Sequence, residues 1–218
     1  MILPLVMDHA FASGPVFKMP RGLFKALQET KGIREARLLL AVWRQFVQGG
    51  EIGEGVKLST NARLINLGNQ ADVVIKENTV VRGILRNERG GRIEIQRDAY
   101  IGDDVILSSA SRIFIGAETL LAHGVQIFDN DTHPLDPELR SRHFRIIRGM
   151  EVPQDITVGA ARVAIGQRCW IGMNALIFKG ATVGDETVVA GGSVVVNDLP
   201  PRVIAAGNPA TPLKEITR

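Results

Sequence analysis

The stretch Ile165-Gly-Gln-Arg-Cys-Trp-Ile171-Gly-Met-Asn-Ala-Leu-Ile177-Phe-Lys-Gly-Ala-Thr-Val183-Gly-Asp-Glu-Thr-Val-Val189-Ala-Gly-Gly-Ser-Val-Val195 places a β-branched aliphatic at every sixth position. Four places after each aliphatic comes a mostly small residue: Cys169, Ala175, Ala181, Thr187, Ser193 and Leu199. The place directly after it is often glycine, at Gly166, Gly172 and Gly184. A helix does not produce this period, because its apolar stripe recurs at three and four, and a half-buried strand alternates every two. A period of six suits a triangular coil in which each hexad forms one flat side and a corner. The aliphatic points inward, the small residue fits where space is tight, and glycine permits the turn. Three hexads, about eighteen residues, complete one turn, and stacked turns pair as parallel strands around one aliphatic column.

The pattern continues upstream with slips. Ile95, Ile101, Leu107 and Ile113 keep step, with Ala99, Val105, Ser111 and Ala117 in the small place; the frame then shifts by two to Ile115, Leu121 and Ile127. Earlier, Ile52, Leu58 and Leu64 fit, followed by Ile75 and Val81. The fold expected is all-β, a parallel β-helix of hexapeptide repeats over residues 51–200. A helical or irregular cap precedes it over 1–50, and a C-terminal tail follows over 201–218. Within the cap, Gly32 to Val47 reads as a helix with Ile33, Ala36, Leu40, Trp43 and Val47 on one face and Arg34, Arg37 and Arg44 largely elsewhere. Covering the open first coil is the reading preferred for it over a visit to a membrane surface.

The totals agree with a soluble enzyme-sized domain. The 218 residues are 45% hydrophobic and 22% charged, with 5% aromatics against 23 glycines, which favours a regular architecture with many tight turns over a bulky aromatic core. The one cysteine, Cys169, excludes an intrachain disulfide and reads as an inert core thiol. The start, Met1 to Met7, lacks a basic region and meets Asp8 and His9 at once, so a cytoplasmic location is expected. A net charge of +3, without runs of like charge or interleaved aromatics, gives nucleic-acid binding no support but suits a polyanionic small ligand.

The register breaks from Asp129 to about Val158, a polar segment with Pro134, Pro137 and Pro153, and a loop this long inside a regular repeat is usually functional. It opens Asp129-Asn-Asp-Thr-His-Pro-Leu-Asp136, with His133 before a proline that imposes an extended or turn geometry. Histidine is the side chain best matched to remove a hydroxyl proton near neutral pH. Asp129, Asp131 and Asp136 are the local candidates to orient it. His143 lies among Arg140, Arg142 and Arg145, solvated or contacting an acceptor.

That loop, followed by Val163-Ala-Ile-Gly-Gln-Arg-Cys-Trp-Ile-Gly172, Val183-Gly-Asp-Glu-Thr-Val-Val-Ala-Gly-Gly-Ser-Val194 and Asn197-Asp-Leu-Pro-Pro-Arg-Val-Ile-Ala-Ala-Gly-Asn-Pro-Ala210, resembles the hexapeptide-repeat acyltransferases. The branch it is similar to contains the galactoside, maltose and polysaccharide O-acetyltransferases. The resemblance implies a left-handed β-helix, a homotrimer, and acetyl-CoA in a groove between neighbouring subunits, with no metal. It implies His133 as catalytic base, and donor contacts near Trp170, Met173, Gly191, Gly192, Asn197 and Lys214. On the acceptor side, Ser108 (or Ser109), Asp129, Asp131 and His143 are the candidates. The C-terminal cations Arg202, Lys214 and Arg218 suit the phosphates of CoA. The expected acceptor is a hydroxyl of a sugar or glycan precursor in surface-polysaccharide synthesis. The alternatives are N-acetylation of an aminosugar nucleotide, or a non-catalytic β-helix used as an assembly module. A metal-dependent hydratase like the γ-class carbonic anhydrases would need three converging histidines, whereas His123, His133 and His143 stand ten residues apart, out of step with coil stacking.

Overall fold

In the computed structural model, residues 32–151 and 156–217 are described, together with Leu23, Leu27, Glu29 and Thr30. The start of the chain with His9, as well as Pro153 and Arg218, lies outside the described residues. Three parallel sheets wind round one axis as the faces of a triangular prism. The first face runs from Glu51–Ile52 to Thr182–Val183, the second from Lys57–Leu58 to Val188–Val189, and the third from Arg63–Asn66 to Val194–Val195. Ile165, Ile171, Ile177, Val183, Val189 and Val195 are all buried, as are the small residues four places on. Ile165 pairs with Val183, Ile171 with Val189 and Ile177 with Val195, so each sixth residue stacks on its counterpart one coil away.

Eighteen residues per coil holds only in that C-terminal part. Upstream, Ile75 pairs with Ile95 and Ile95 with Ile115. Ile113, which keeps the six-residue step on paper, lies opposite Ile93 instead. It takes the small place, while Ser111 and Ala117 fall out of it and buried Thr119 takes over. The extra residues collect at one vertex. The corner from the first face to the second spans four residues in each of its turns, for example 76–79, 116–119 and 166–169. The corner from the third face back to the first is three residues at 110–112 and 179–181, but grows to 67–72 and 88–92, and to 129–162 where the register breaks.

The glycines after the inward aliphatics have a different task from the one expected. Neither Gly116 nor Gly172 is among the residues with positive φ; instead a Cβ there would stand 2.4 Å from the backbone of Gly166 and 2.5 Å from that of Gly191. Close approach of the next coil therefore demands them. The left-handed turn conformation comes two residues later and is carried by Asn78, Asp98, Glu118, Arg168 and Glu186, each at φ of 52–59°. The inward small residue ending this corner is often threonine. Thr79, Thr119 and Thr187 donate their hydroxyls to the carbonyls of Gln96, Gly166 and Pro200, which lie further along the solenoid. Cys169 occupies the same place, and its thiol donates to the carbonyl of Gly184 at 3.1 Å.

Helix α1, Ile33–Gly49, packs against the first strand of all three faces with Ala36, Leu39, Leu40, Val42, Trp43 and Phe46 buried. Ile33, expected on that face, is exposed. The residues beyond 201 do more than trail. Val203–Gly207 extends the second face in parallel, and Ala210–Glu215 folds back antiparallel on it, which closes the far end of the column.

Ile115→Ala is expected to lower unfolding stability by about 2–5 kcal/mol through the cavity it leaves. Leu120→Ala, on an outward and exposed side chain, is expected to change it by less than about 0.5 kcal/mol. Urea unfolding of the two variants measures both, and equal losses would contradict the inward register.

Candidate active site

The excursion leaves at Phe128 and returns at Val163, with Asn130 and Ala160 bridged where the two strands of chain pass. Its root is held by a fully buried carboxylate. Asp129 accepts from the Ser109 hydroxyl at 2.7 Å, from the backbone N–H of Ala110 and Ser111 at 2.7 and 2.9 Å, and from the Asn130 amide at 3.1 Å. Buried charge is tolerated when hydrogen bonds surround it in this way. Asp129 is thus the peg of the loop, not a contact for His133 or for a substrate. Asp131 forms an ion pair with Lys179 at 2.5 Å, fastening the loop to the following corner. Asp136 caps helix α2, Pro137–Ile147, by accepting from the N–H of Leu139 at 2.8 Å. None of the three local carboxylates orients His133.

The orienting neighbour is His143. The two Nδ1 atoms lie 3.3 Å apart, and the rings meet edge to face with centroids at 5.2 Å. His143 comes from α2, an element that the polar reading of the loop missed, although Asp136-Pro137-Glu138 is a helix-start signal. The far end of α2 is braced by Glu151, whose carboxyl is held below its usual range first by Arg145 and then by Arg142. His133 itself is exposed and sits on a forced turn. Thr132 has φ of 59° and its N–H bonds the Asn130 side chain at 2.9 Å, while the His133 N–H bonds the Asp131 carbonyl at 2.6 Å. A β-branched residue in this region costs on the order of 1–3 kcal/mol, and such strain concentrates where a side chain must be aimed.

The residues matched to donor binding gather elsewhere. Trp170 is 54% exposed and stands in the outward column of the second face, with Val188, Ile204 and Lys214 following it in register. Met173, Gly191 and Gly192 stack at the corner after that face, where the Gly192 N–H donates to the Met173 carbonyl at 2.8 Å. Asn197 does not join them; it lies past the third face, at the vertex that carries the excursion. Ser108 points out from the third face but is almost covered, beside the Asn130 amide that bonds its carbonyl. Within one chain, therefore, His133 and His143 occupy one vertex of the triangle and Trp170 the opposite side. His123 lies at the same corner as Met173, one coil back, away from the other two histidines, and among the described residues no three His, Cys, Asp or Glu groups converge on a common point. Cys169 is buried, which pushes its thiol up and keeps it protonated. No helix among the described residues is long and apolar enough to cross a membrane.

Asp129→Ala is expected to leave the backbone N–H groups of Ala110 and Ser111 without an acceptor, at a cost of about 3 kcal/mol, and to speed proteolytic cleavage inside 131–159. A loop cleaved no faster than in the unaltered protein would contradict the peg.

A hexapeptide repeat of succinyl-transferase matches residues 162–196. Galactoside O-acetyltransferase of Escherichia coli is 30% identical over 142 residues, covering 65% of this chain and 63% of the relative, so the chain spans just under two thirds of that protein's length. The crystal structure of a maltose O-acetyltransferase from Clostridium difficile superposes with a TM-score of 0.53 at 25% identity, over 90% of this chain and 83% of that one. A hexapeptide-repeat acetyltransferase of Vibrio cholerae, solved with acetyl coenzyme A, shares the fold at a TM-score of 0.50 and 19% identity, over 99% and 90% of the two chains. The coil register, the repeat and these relatives agree in making the chain similar to the hexapeptide-repeat acyltransferases.

Proposed function

We propose that this protein transfers an acetyl group from acetyl-CoA to a hydroxyl of a sugar or glycan, with His133 as general base. The observation that carries the reading is the His133–His143 contact on a strained, pegged turn. If the Nδ1–H of His133 donates to Nδ1 of His143, Nε2 of His133 is left with its lone pair outward, as a base requires. The acceptor hydroxyl gives its proton to Nε2 as its oxygen attacks the thioester carbonyl. The tetrahedral intermediate collapses, the C–S bond breaks, and the departing CoA sulfur takes the proton back from the imidazolium. No acetyl-enzyme forms, and the protonated, buried Cys169 thiol is a poor nucleophile.

The donor is assigned to the second face, where the outward Trp170 column and Lys214 offer an apolar wall and a cation for the phosphates. Because His133 projects from the opposite vertex, donor and base meet only if the vertex of one copy faces the second face of another. This arrangement supports a site completed between subunits of a homotrimer. The hydroxyl acceptor is favoured by the named activities of the galactoside and maltose relatives.

His133→Ala is expected to lower kcat by about 10²–10⁴-fold while acetyl-CoA still binds by calorimetry; sugar-dependent CoA release undiminished in the variant would remove His133 as base. His143→Leu should lower kcat about tenfold through the lost hydrogen bond, and His143→Asn, which restores an acceptor, should recover most of it. Cys169→Ala should leave turnover unchanged, and its loss in an otherwise intact oligomer would contradict direct transfer.

A further inference from the structure

The vertex that carries the excursion also carries a cleft of about 710 Å³, formed where the corners 67–72, 88–92 and 110–112 stack. Its mouth bears three guanidinium groups, those of Arg89, Arg92 and Arg112. Arg92 donates to Oε1 of Glu94 and Arg112 forms an ion pair with the same oxygen at 3.0 Å, so this half-buried carboxylate fixes the two side chains side by side while leaving most of their N–H groups unused. Arg89 is exposed and has no carboxylate partner among the described residues. The acidic side chain within the lining, Asp72, is already occupied by the N–H of Asn69 at 2.6 Å. Three guanidinium groups against two engaged carboxylates leave a positive mouth.

The floor is polar. Asn66, Asn87 and Ser109 align in register, and Asp129 follows Ser109 as the next buried polar group. The Asn87 amide donates to Asn66 at 3.0 Å, yet its own oxygen is fully buried without a partner, beneath Gly91. A Cβ on Gly91 would stand 2.6 Å from that oxygen, so the glycine lets the backbone pass close over this row. The cleft shares its vertex with the His133 loop, because Ser111 lines it and donates its N–H to Asp129 at the root of that loop.

We infer that this cleft is an anion-recognition subsite that holds a phosphate or carboxylate group of the glycan acceptor. The acceptor half of this assignment rests on the transferase reading above; the anion site itself does not. Arginines braced by a shared carboxylate meet an oxyanion with their remaining N–H groups already aligned, and the exposed Arg89 closes over it. Being partly exposed, these charges are screened by salt, so the affinity falls as ionic strength rises.

Calorimetry with glucose 1-phosphate, glucose and inorganic phosphate tests the inference on the unaltered chain, Arg89→Gln, Arg112→Gln and His133→Ala. The sugar phosphate should bind the unaltered chain and His133→Ala alike, and about tenfold more weakly to either arginine variant, the worth of one charge-assisted bond; glucose should bind far more weakly throughout. Arg89 makes no ion pair among the described residues, so Arg89→Gln tests the site even if Arg112→Gln unsettles the corner. Affinity unchanged by Arg89→Gln overturns the site. Inorganic phosphate binding as tightly as the sugar phosphate overturns the acceptor assignment and makes the occupant a free anion. Anion binding that survives while no sugar accepts acetyl would instead sink the transferase reading and leave the cleft standing.

Discussion

The structure depends on one constraint, the stacking of each inward aliphatic on its counterpart one coil along. Ile75, Ile95, Ile115, Ile165 and Val183 form such a column on the first face, all buried and all in parallel register. Parallel pairing of short strands is weak on its own, and two or three residues per strand provide few ladder bonds. The column compensates by removing a continuous apolar stripe from water, worth about 25 cal/mol for each Å² buried. Any residue added within a face would turn the following side chains inside out. Added residues are therefore admissible only at a corner, and this chain places nearly all of them at a single one.

That confinement links fold to function. The vertex between the third and first faces holds the arginine cleft, the Asn66–Asn87–Ser109–Asp129 rungs, the pegged excursion and the histidine pair. The opposite face stays regular and shows a smooth outward column with Trp170 in it. A narrow prism has no interior room for a substrate, so chemistry must be built on its outside. One irregular vertex and one flat apolar face are the complementary surfaces that such a prism can offer to another copy of itself.

The legibility of these features in the sequence follows from how often each physical demand is repeated. The inward aliphatics were readable because every face of every coil imposes the same requirement, and the two-residue frame shift near Ile113 was visible as a slip. What the slip meant was hidden: register pairs Ile115, not Ile113, with Ile95, and only the neighbouring coil decides that. The corner glycines were found for the wrong reason, since a turn and a close approach both ask for glycine. The polar rungs went unseen because coil length varies, so Asn66, Asn87, Ser109 and Asp129 share no fixed spacing. Asp129 was then mistaken for a partner of the nearby His133, when its partners lie one coil back. Helix α2 was lost because its apolar residues, Leu139, Phe144 and Ile147 among them, face solvent and carry no core signal. The strands after residue 201 likewise depend on pairing with Val188–Val189, a long-range partner that local sequence does not announce.

The central claim is that the irregular vertex supplies the catalytic base while the coil and its opposite face bind the donor independently. The chain itself provides a clean place to separate them, because Asn130 and Ala160 are bridged across the root of the excursion. Joining Asn130 to Ala160 removes 131–159, and with it both histidines, while leaving Asp129 in its buried network. The account predicts that this shortened protein folds, assembles and binds acetyl-CoA with unchanged affinity but releases no CoA in the presence of sugars. Sugar-dependent CoA release at the rate of the full chain would contradict it.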